Sequence, residues 1–251
     1  MIPEDDRGLL LGDGLFETIL ALDGRLQHFD AHIERMIRGC AVIGLEPPDP
    51  RAARRAAEAA AHPLAGRAVV RITHTAGSGR GLERPEGSAP RQIVTAGPAP
   101  AWTGAVRLAL SSIRRNPTSP ASRLKSLAYL DNVMARRQAR EAGADEALML
   151  STGGLVACAA AANLFWIMGD RLFTPALACG VLDGIARGRV LEAAASMGVE
   201  TVQVEALADV LESAQAAFLT NSLIGVRPVS EIDGRPIGPH ALTDALSNRC
   251  R

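Results

Sequence analysis

The chain has 251 residues, 47% of them hydrophobic and 22% charged, and its 27 basic and 27 acidic residues give a formal net charge of zero. This balance excludes the general attraction to nucleic acid or to an anionic membrane surface that a strongly basic protein shows. The length suffices for one or two globular domains with a substantial core.

The lengths of the apolar runs and the spacing of the cysteines exclude further classes of protein. No apolar run approaches the roughly 20 residues that a membrane-spanning helix needs, and the amino terminus carries no charged-then-apolar leader. Neither the histidines nor the cysteines, which are Cys40, Cys158, Cys179 and Cys250, show a metal-ligand spacing. We therefore expect a cytoplasmic protein with no membrane partner, no nucleic-acid partner and no metal.

Strand and helix patterns alternate along the chain, which predicts a mixed α/β fold. In the first part, strands are predicted over residues 15–21, 68–75 and 92–96. Asp23-Gly24 is typical of a turn, Asp30 is predicted to cap one helix, and Asp49-Pro50 is predicted to begin a second. The stretch Gly97-Pro-Ala-Pro-Ala is short, stiff and without periodicity, which is typical of a linker.

The second part continues the alternation. Strands are predicted over residues 106–111, 146–150, 199–204 and 217–220, and residues 163–175 indicate two apolar strands around a Gly-Asp turn. One helix is predicted from Ser126 to Gly143 and another from Gly184 to Met197. We therefore predict an N-terminal domain, a linker and a C-terminal domain, which cover residues 1–96, 97–104 and 105–251.

Lys125 carries the strongest chemical signal, because a polar loop runs through it into a predicted helix. Unpaired N–H groups in the first turn of a helix disfavour an ammonium, and Leu124 and Leu127 would desolvate it. Both effects favour the neutral amine, which is the nucleophilic form of lysine. Taken alone, Lys125 also fits a solvated lysine at the start of a helix.

Short segments along the chain match those of a known family in order and spacing. They are Gly12-Asp-Gly-Leu-Phe-Glu-Thr, His32-x-x-Arg35, Arg71, Gly77-Ser-Gly-Arg-Gly, Lys125, Asp145-Glu-Ala-Leu, Ala162-Asn-Leu-Phe, Thr174-Pro, Gly184-Ile-x-Arg187 and Thr220-Asn-Ser. With them the chain resembles the class IV, fold-type IV pyridoxal-phosphate enzymes, which include branched-chain aminotransferase, D-amino acid transaminase and aminodeoxychorismate lyase. The resemblance implies a two-domain α/β fold with a smaller N-terminal domain and a larger C-terminal pseudo-barrel domain that binds the cofactor.

The resemblance also implies that pyridoxal 5′-phosphate is the cofactor, and that Lys125 binds it covalently and moves protons at the carbon attached to the substrate nitrogen. Arg35 corresponds to the arginine that holds the phosphate, whose oxygens suit its planar fork of donors. The turn Gly184-Ile185-Ala186 corresponds to the phosphate cup at a helix start. Outside the family, Arg35 fits a surface arginine and Gly184 a plain loop-to-helix junction.

Two positions depart from the family. Ala186 replaces a common threonine, so we expect Ser222, beside Asn221 in the loop after the last strand, to supply the remaining side-chain contact with the cofactor. Cys158 falls where most members carry the glutamate that bonds the pyridine nitrogen, and a thiol is a poor counter-ion. This departure leaves three alternatives. Another carboxylate reaches the pyridine nitrogen, Cys158 bonds that nitrogen weakly in a slower enzyme, or the chain has lost its catalytic activity. Cys158 also fits an inert core residue.

Three details are similar to the lyase rather than to the transaminases. They are Asn221-Ser222-Leu223, Ala161–Trp166, and Leu82 where D-amino acid transaminases usually carry histidine. The resemblance implies conversion of 4-amino-4-deoxychorismate to 4-aminobenzoate and pyruvate, in folate biosynthesis, with Arg80 and Asn221 binding this small-molecule amine. An amino acid transaminase (branched-chain or D-amino acid) and a weakly active cofactor-binding paralogue are the alternatives. Class IV members are usually homodimers, so a homodimer is expected.

Overall fold

The computed structural model describes residues 2–250 and separates into two compact units. Unit 1 extends to Ala101 and also contains Leu124–Ala128, whereas unit 2 comprises Trp102–Arg123 and the chain from Tyr129 onward. Each unit combines helices with a sheet, so the predicted α/β fold class is confirmed. Among the described residues, no helix is long and apolar enough to cross a membrane.

Unit 1 packs two long helices against one antiparallel sheet. Its elements are α1 (Arg7–Leu11), β1 (Gly14–Leu22), β2 (Arg25–Leu26), α2 (Phe29–Ile43), α3 (Pro50–Ala61), β3 (Arg67–Thr75) and β4 (Arg91–Pro98). The strands pair in the order β2-β1-β3-β4. Alternate residues of β1 and β3, such as Ile19 and Ile72, are buried in one core with Met36 of α2 and Ala57 of α3.

Local sequence signals determine where several strands and helices of unit 1 begin or end. Asp23 and Gly24 have φ angles of 48° and 75°, which is the left-handed conformation that the tight turn between β1 and β2 requires. Asp49 accepts a hydrogen bond from the N–H of Ala52 at 2.8 Å and so caps α3, and Pro50 takes the first helical position. These turn and cap predictions are confirmed.

Unit 2 is a mixed sheet with helices packed against it. Its elements are β5 (Val106–Leu110), α4 (Pro120–Arg123), α5 (Leu130–Glu141), β6 (Glu146–Leu150), β7 (Val156–Ala159), β8 (Asn163–Met168), β9 (Arg171–Pro175), α6 (Ile185–Ser196), β10 (Thr201–Val204), β11 (Ala216–Asn221), β12 (Gly225–Ile232), β13 (Arg235–Pro236) and α7 (Ala241–Arg249). The strands follow the order β10-β9-β8-β11-β12-β5-β6-β7, and β13 pairs with β12. A bridge between Leu155 and Leu207 brings the two ends of this order together.

The alternation of side chains along β8 shows how unit 2 is layered. Phe165 stacks on Phe218 of β11 at 5.0 Å between centroids and belongs to the cluster that contains Val190 of α6 and Leu246 of α7. Trp166, the next residue, belongs to a second cluster on the opposite face of the sheet. Both faces of β8 are therefore buried, which accounts for its continuous apolar sequence.

Two predicted helix starts are wrong. Asp30 does not cap α2: the helix begins at Phe29, and Asp30 lies in its first turn, where a negative charge suits the helix dipole. The helix predicted from Ser126 begins at Leu130, because Ser126 forms an antiparallel bridge with Leu15 of β1 instead. A local apolar pattern cannot reveal such a distant partner.

Candidate active site

Lys125 lies in an extended segment that pairs with the start of β1. The N–H of Phe16 donates to the carbonyl of Lys125 at 2.9 Å, and the N–H of Leu127 donates to the carbonyl of Gly14 at 3.0 Å. These bonds fix the backbone of Lys125 to the sheet of unit 1. Its side chain lies on the sheet face that carries the Phe16 ring, with Nζ 4.3 Å from the ring centroid.

The amine of Lys125 loses its proton more easily than an ordinary lysine does. Burial is the largest cause and lowers its pKa to about 8. The charge of Glu17 raises this pKa, whereas the charges of Arg35 and Arg71 lower it. Desolvation therefore acts in the predicted direction, but the predicted helix dipole does not, because Lys125 lies outside α5.

Lys125 is also the only lysine among the 27 lysine and arginine residues of the chain. Arginine occupies every other basic position, and a guanidinium does not lose its proton in a protein, so it cannot act as a nucleophilic amine. Lys125, which is half-buried, therefore carries the one lysine amine of the chain, and its pKa is lowered to about 8. This count is a sequence signal that no short motif carries.

Glu17 anchors a buried charge cluster on the other face of β1. It accepts two hydrogen bonds from Arg35, at 2.8 Å from Nε and 2.6 Å from Nη2, and its Oε2 lies 2.7 Å from Nδ1 of His32. Burial alone would raise the pKa of Glu17, but Arg35 and His32 outweigh it and lower the pKa to about 2. Glu17 thus orients the guanidinium of Arg35, a role that the sequence did not indicate.

The start of α6 requires a glycine. Gly184 is the N-cap of α6, and among the described residues no side chain caps the helix there. A Cβ at Gly184 would lie 2.1 Å from Oδ1 of Asn163, whose Nδ2 donates to the carbonyl of Leu182 at 3.0 Å. Asn163 therefore holds the loop that leads into α6, and the first N–H groups of Ile185 and Ala186 remain as a helix start suited to an anion.

Asn221 organises the turn after β11. Its Oδ1 accepts from the N–H groups of Leu223 at 2.9 Å and Ile224 at 3.0 Å, and its Nδ2 donates to the carbonyl of Ala161 at 2.8 Å. This use of the amide explains the Asn at the start of the predicted loop. Ser222 lies half-buried at the tip of the same turn.

Cys158 is a buried neutral thiol on β7. Burial raises its pKa, the charge of Glu146 raises it further, and the charge of Arg115 lowers it. Arg115 is itself buried, and its guanidinium donates to neutral acceptors, including Oδ1 of Asn132 at 3.2 Å. Glu146, whose pKa burial also raises, accepts from its neighbour's N–H at 2.9 Å. Cys158 thus occupies a position beside a buried cation without being a counter-ion.

Arg80 lies on the exposed loop between β3 and β4. Its side chain is 79% exposed, and its ion-pair partner is Glu4 at 3.9 Å, which is exposed as well. The sequence did not single out Arg71 by role, yet its Cζ lies 3.8 Å from the centroid of the Phe16 ring that also faces Lys125. Unit 1 therefore brings Lys125 and Arg71 together at the ring of Phe16, and the cluster of Glu17 lies on the other face of β1.

The family model described as amino-transferase class IV matches residues 14–232 of the chain. An aminodeoxychorismate lyase of Vibrio harveyi is 30% identical over 92% of this chain and 87% of its own length. A branched-chain-amino-acid aminotransferase of Pseudomonas aeruginosa is 30% identical over 90% of this chain and 78% of its own length. Both kinds of enzyme are thus similar to this chain at the same level of identity.

Solved structures agree with the fold. The crystal structure of the branched-chain aminotransferase from the archaeon Thermoproteus uzoniensis, with norvaline, matches with a TM-score of 0.90. It is 26% identical in sequence, and the match covers 99% of this chain and 87% of that one. The two-domain fold expected from the sequence is therefore confirmed.

Proposed function

Because the chain belongs to the class IV aminotransferase family, whose enzymes use pyridoxal 5′-phosphate, we propose that it is a lyase acting on 4-amino-4-deoxychorismate. The products are 4-aminobenzoate and pyruvate. The observation that carries the proposal is that the only lysine of the chain is half-buried, is fixed to β1 and has a pKa of about 8.

The described residues fit the cofactor. Lys125 offers a neutral amine to its aldehyde, and the start of α6 offers N–H groups of Ile185 and Ala186 to its phosphate. Gly184 lets the side chain of Asn163 pack closely against that start, since a Cβ there would lie 2.1 Å from Oδ1 of Asn163. When bound, the cofactor supplies an aldehyde that takes up the substrate amine and a ring that withdraws electrons from the neighbouring carbon.

Further residues have proposed roles in binding. Arg35, oriented by its two bonds to Glu17, is proposed to bind the phosphate together with Ser222. Asn221 is proposed to contact both cofactor and substrate, and Arg80 is the sequence-based candidate for a substrate carboxylate. These roles follow from the match to the family and from the chemistry of the side chains.

Lys125 performs the proton transfers in the proposed reaction. As a neutral amine it takes the proton from the ring carbon that bears the substrate nitrogen. The carbon–oxygen bond to the enolpyruvyl group then breaks, and Lys125 is placed to return the proton to the departing group, which becomes pyruvate. The remaining ring becomes aromatic, and this supplies much of the driving force.

Cys158 favours the lyase over a transaminase. It is proposed to face the pyridine nitrogen, and a buried neutral thiol cannot hold a proton on that nitrogen as a carboxylate does. The ring therefore withdraws electrons less strongly. A reaction driven by aromatisation tolerates this loss better than transamination does.

The proposed assembly and location follow the family. We propose a homodimer in a reducing compartment such as the cytoplasm, and the four cysteines, which are all free thiols, suit such a compartment. Size-exclusion chromatography with light scattering checks the assembly, and a monomer at micromolar concentration would contradict it.

The lyase proposal is tested by supplying aminodeoxychorismate without any keto acid. We expect equal amounts of pyruvate and 4-aminobenzoate from the protein loaded with pyridoxal 5′-phosphate. Lys125→Ala is the control and should release neither product. No product from a loaded wild-type protein would reject the proposal.

An amino acid transaminase is the second candidate, because the Pseudomonas aeruginosa aminotransferase is as similar to this chain as the Vibrio harveyi lyase. A transaminase consumes an amino acid only when a keto acid is present to accept the amino group. Turnover of branched-chain or D-amino acids that depends on added 2-oxoglutarate, without pyruvate release from aminodeoxychorismate, would favour this candidate.

A further inference from the structure

Arg7, at the start of α1, is a buried arginine whose guanidinium holds the loop between β3 and β4. Its side chain is 3% exposed. Its Nη1 donates to the carbonyls of Gly81 at 2.8 Å and Glu83 at 3.0 Å, and its Nη2 donates to the carbonyl of Leu82 at 2.9 Å. Three successive carbonyls of one loop therefore accept hydrogen bonds from one guanidinium.

Asp13, just before β1, joins Arg7 to the end of the same loop. Its Oδ2 accepts from Nε of Arg7 at 2.8 Å, and its Oδ1 and Oδ2 accept from Arg84 at 2.6 and 3.0 Å. The hydrogen bond from Arg84 is the largest cause that lowers the pKa of Asp13, burial opposes it, and Arg7 adds to the lowering. Arg84 also donates to the carbonyl of Gly44 at 2.6 Å, so the end of the loop is tied to the end of α2 as well.

The start of the loop is fixed by the backbone around Arg7. The N–H of Arg7 donates to the carbonyl of Gly77 at 2.8 Å, and the N–H of Gly79 donates to the carbonyl of Asp5 at 2.9 Å. A Cβ at Gly79 would lie 2.6 Å from Cδ of Pro85 and 3.4 Å from Cδ of Arg7, so a glycine is needed for the loop to pack this closely. Residues 77–84, the clamped segment, are therefore fixed at their start, middle and end.

The clamped segment exposes two side chains while its backbone is held. Arg80 is 79% exposed and Leu82 is 89% exposed. The ion-pair partner of Arg80 is Glu4, which is 93% exposed and lies 3.9 Å away, so this pair does little to hold Arg80. A mobile loop would lose backbone entropy on binding a ligand, and a backbone that is already ordered avoids that cost. The clamp therefore prepares Arg80 to bind an anion.

We propose that Arg7 is a positioning residue, which fixes the clamped segment in the conformation from which Arg80 binds the substrate. The inference rests on the proposed function, in which Arg80 is the candidate for a substrate carboxylate. Arg7 acts through the loop, because its guanidinium donates to the three carbonyls and to Asp13. Arginine suits this role, since it offers five donors in a rigid plane, whereas lysine offers three donors at the end of a flexible chain.

Limited digestion with trypsin measures the clamp without any assay of activity. Cleavage after Arg80 requires the backbone that follows it to open, and Arg7 holds that backbone. Trypsin does not cut after Arg84, because Pro85 follows it. In the full-length protein loaded with pyridoxal 5′-phosphate, we expect Arg7→Lys to be cut after Arg80 about tenfold faster than the wild type, as loss of hydrogen bonds to a charged group allows. Mass spectrometry of the fragments identifies the cut.

Arg91→Lys is the matched control, because Arg91 of β4 pairs with the buried carboxylate of Asp6 in the same unit. Both variants exchange a paired guanidinium for an amine and keep the positive charge, which favours an intact fold. We expect cleavage after Arg80 to accelerate in Arg7→Lys and to keep the wild-type rate in Arg91→Lys. Equal acceleration in the two variants, or a wild-type rate in Arg7→Lys, would overturn the inference.

Steady-state kinetics separate positioning from a general loss of structure. We expect Arg7→Lys to raise the KM for aminodeoxychorismate about tenfold and to leave kcat and the Kd for pyridoxal 5′-phosphate at their wild-type values. A double-mutant cycle with Arg80→Gln then tests the route, because two residues that act through one contact are not additive. In the Arg80→Gln background, Arg7→Lys should raise the KM no further. An equal rise in both backgrounds would overturn the inference, since Arg7 would then act through another residue.

The inference and the proposed function fail in different ways. Faster cleavage of Arg7→Lys after Arg80, together with a wild-type protein that releases no pyruvate, would reject the lyase and keep the clamp. Pyruvate release with a wild-type KM in Arg7→Lys would reject the positioning role of Arg7 and keep the lyase.

Discussion

Lys125 and Glu17 both lie on the sheet of unit 1, but Glu17 keeps its charge whereas Lys125 loses its charge more easily than usual. Both lose hydration, which favours the neutral form of each. Glu17 nevertheless stays ionised, because Arg35 and His32 donate hydrogen bonds to it. The charges of Arg35 and Arg71 add to the effect of burial on Lys125, so its amine loses the proton more easily.

The lowered pKa of Lys125 predicts a pH-dependent cost to stability. The unfolded lysine holds its proton up to about pH 10.4, whereas the folded amine, with a pKa of about 8, releases it earlier. The unfolded state therefore binds more protons in this window, and the contribution of Lys125 to stability rises with pH from 8 to 10. We expect Lys125→Met to raise the Tm at pH 7, with an advantage that narrows toward pH 10. Thermal denaturation at both pH values checks this, and an advantage that grows with pH contradicts it.

Glu17→Gln should destabilise the fold, because it leaves Arg35 and His32 without their buried anion. Breaking a buried ion pair costs about 3 kcal/mol in the free energy of unfolding. The depressed pKa of Glu17 gives stability that is present above about pH 4.5 and is lost as the pH falls toward 2. Urea denaturation at pH 7 and pH 3 measures both effects. Glu58→Gln, which changes an exposed carboxylate, is the control; an equal loss in both variants would contradict this account.

Cys158→Glu should increase transaminase side activity, because a carboxylate at this position would hold a proton on the pyridine nitrogen of the cofactor, which the neutral thiol cannot do. Rates with a D- or branched-chain amino acid and 2-oxoglutarate, compared with pyruvate release, measure the change. Cys179→Ala, at another buried cysteine, is the control. If both activities of Cys158→Glu equal those of the wild type, the claim that Cys158 favours the lyase over a transaminase is contradicted.

At the scale of elements, sequence patterns located most helices and strands but not the partner of the Lys125 segment. The signals at Asp23-Gly24 and Asp49-Pro50 are local, because a left-handed turn and a helix cap depend on neighbouring residues alone. The pairing of Ser126 with Leu15 joins distant parts of the chain, and it overrides the local helical pattern. The stack of Lys125 on Phe16 has the same long-range origin.

Gly184→Ala tests the start of α6 as a phosphate site. The new Cβ would lie 2.1 Å from Oδ1 of Asn163, so the loop and the first N–H groups must move. We expect the Kd for pyridoxal 5′-phosphate to rise at least about tenfold, as loss of oriented donors to an anion does. Gly188→Ala, in the same helix with nothing within 4 Å of its Cβ, should bind normally. Absorbance titration measures the Kd of both variants. Equal affinity in the two variants would exclude a role for the start of α6 in binding the phosphate.

For the molecule as a whole, the order of the matching segments predicted the fold, since the family match spans residues 14–232. The particular reaction is not fixed by that order, because a lyase and an aminotransferase have the same 30% identity to the chain. Side-chain chemistry at a few positions decides between them. Cys158 is the position where this chain offers such evidence.

The central claim is that Lys125 attaches the cofactor, and borohydride reduction of the loaded protein tests it most directly. We expect the intact mass to increase by one phosphopyridoxyl group, located on the peptide that contains Lys125, and we expect Lys125→Ala to gain none. Because the chain has no other lysine, the only competing amine is the N-terminal one. A modified N-terminus with an unmodified Lys125, or no adduct in protein that shows bound cofactor, would contradict the account.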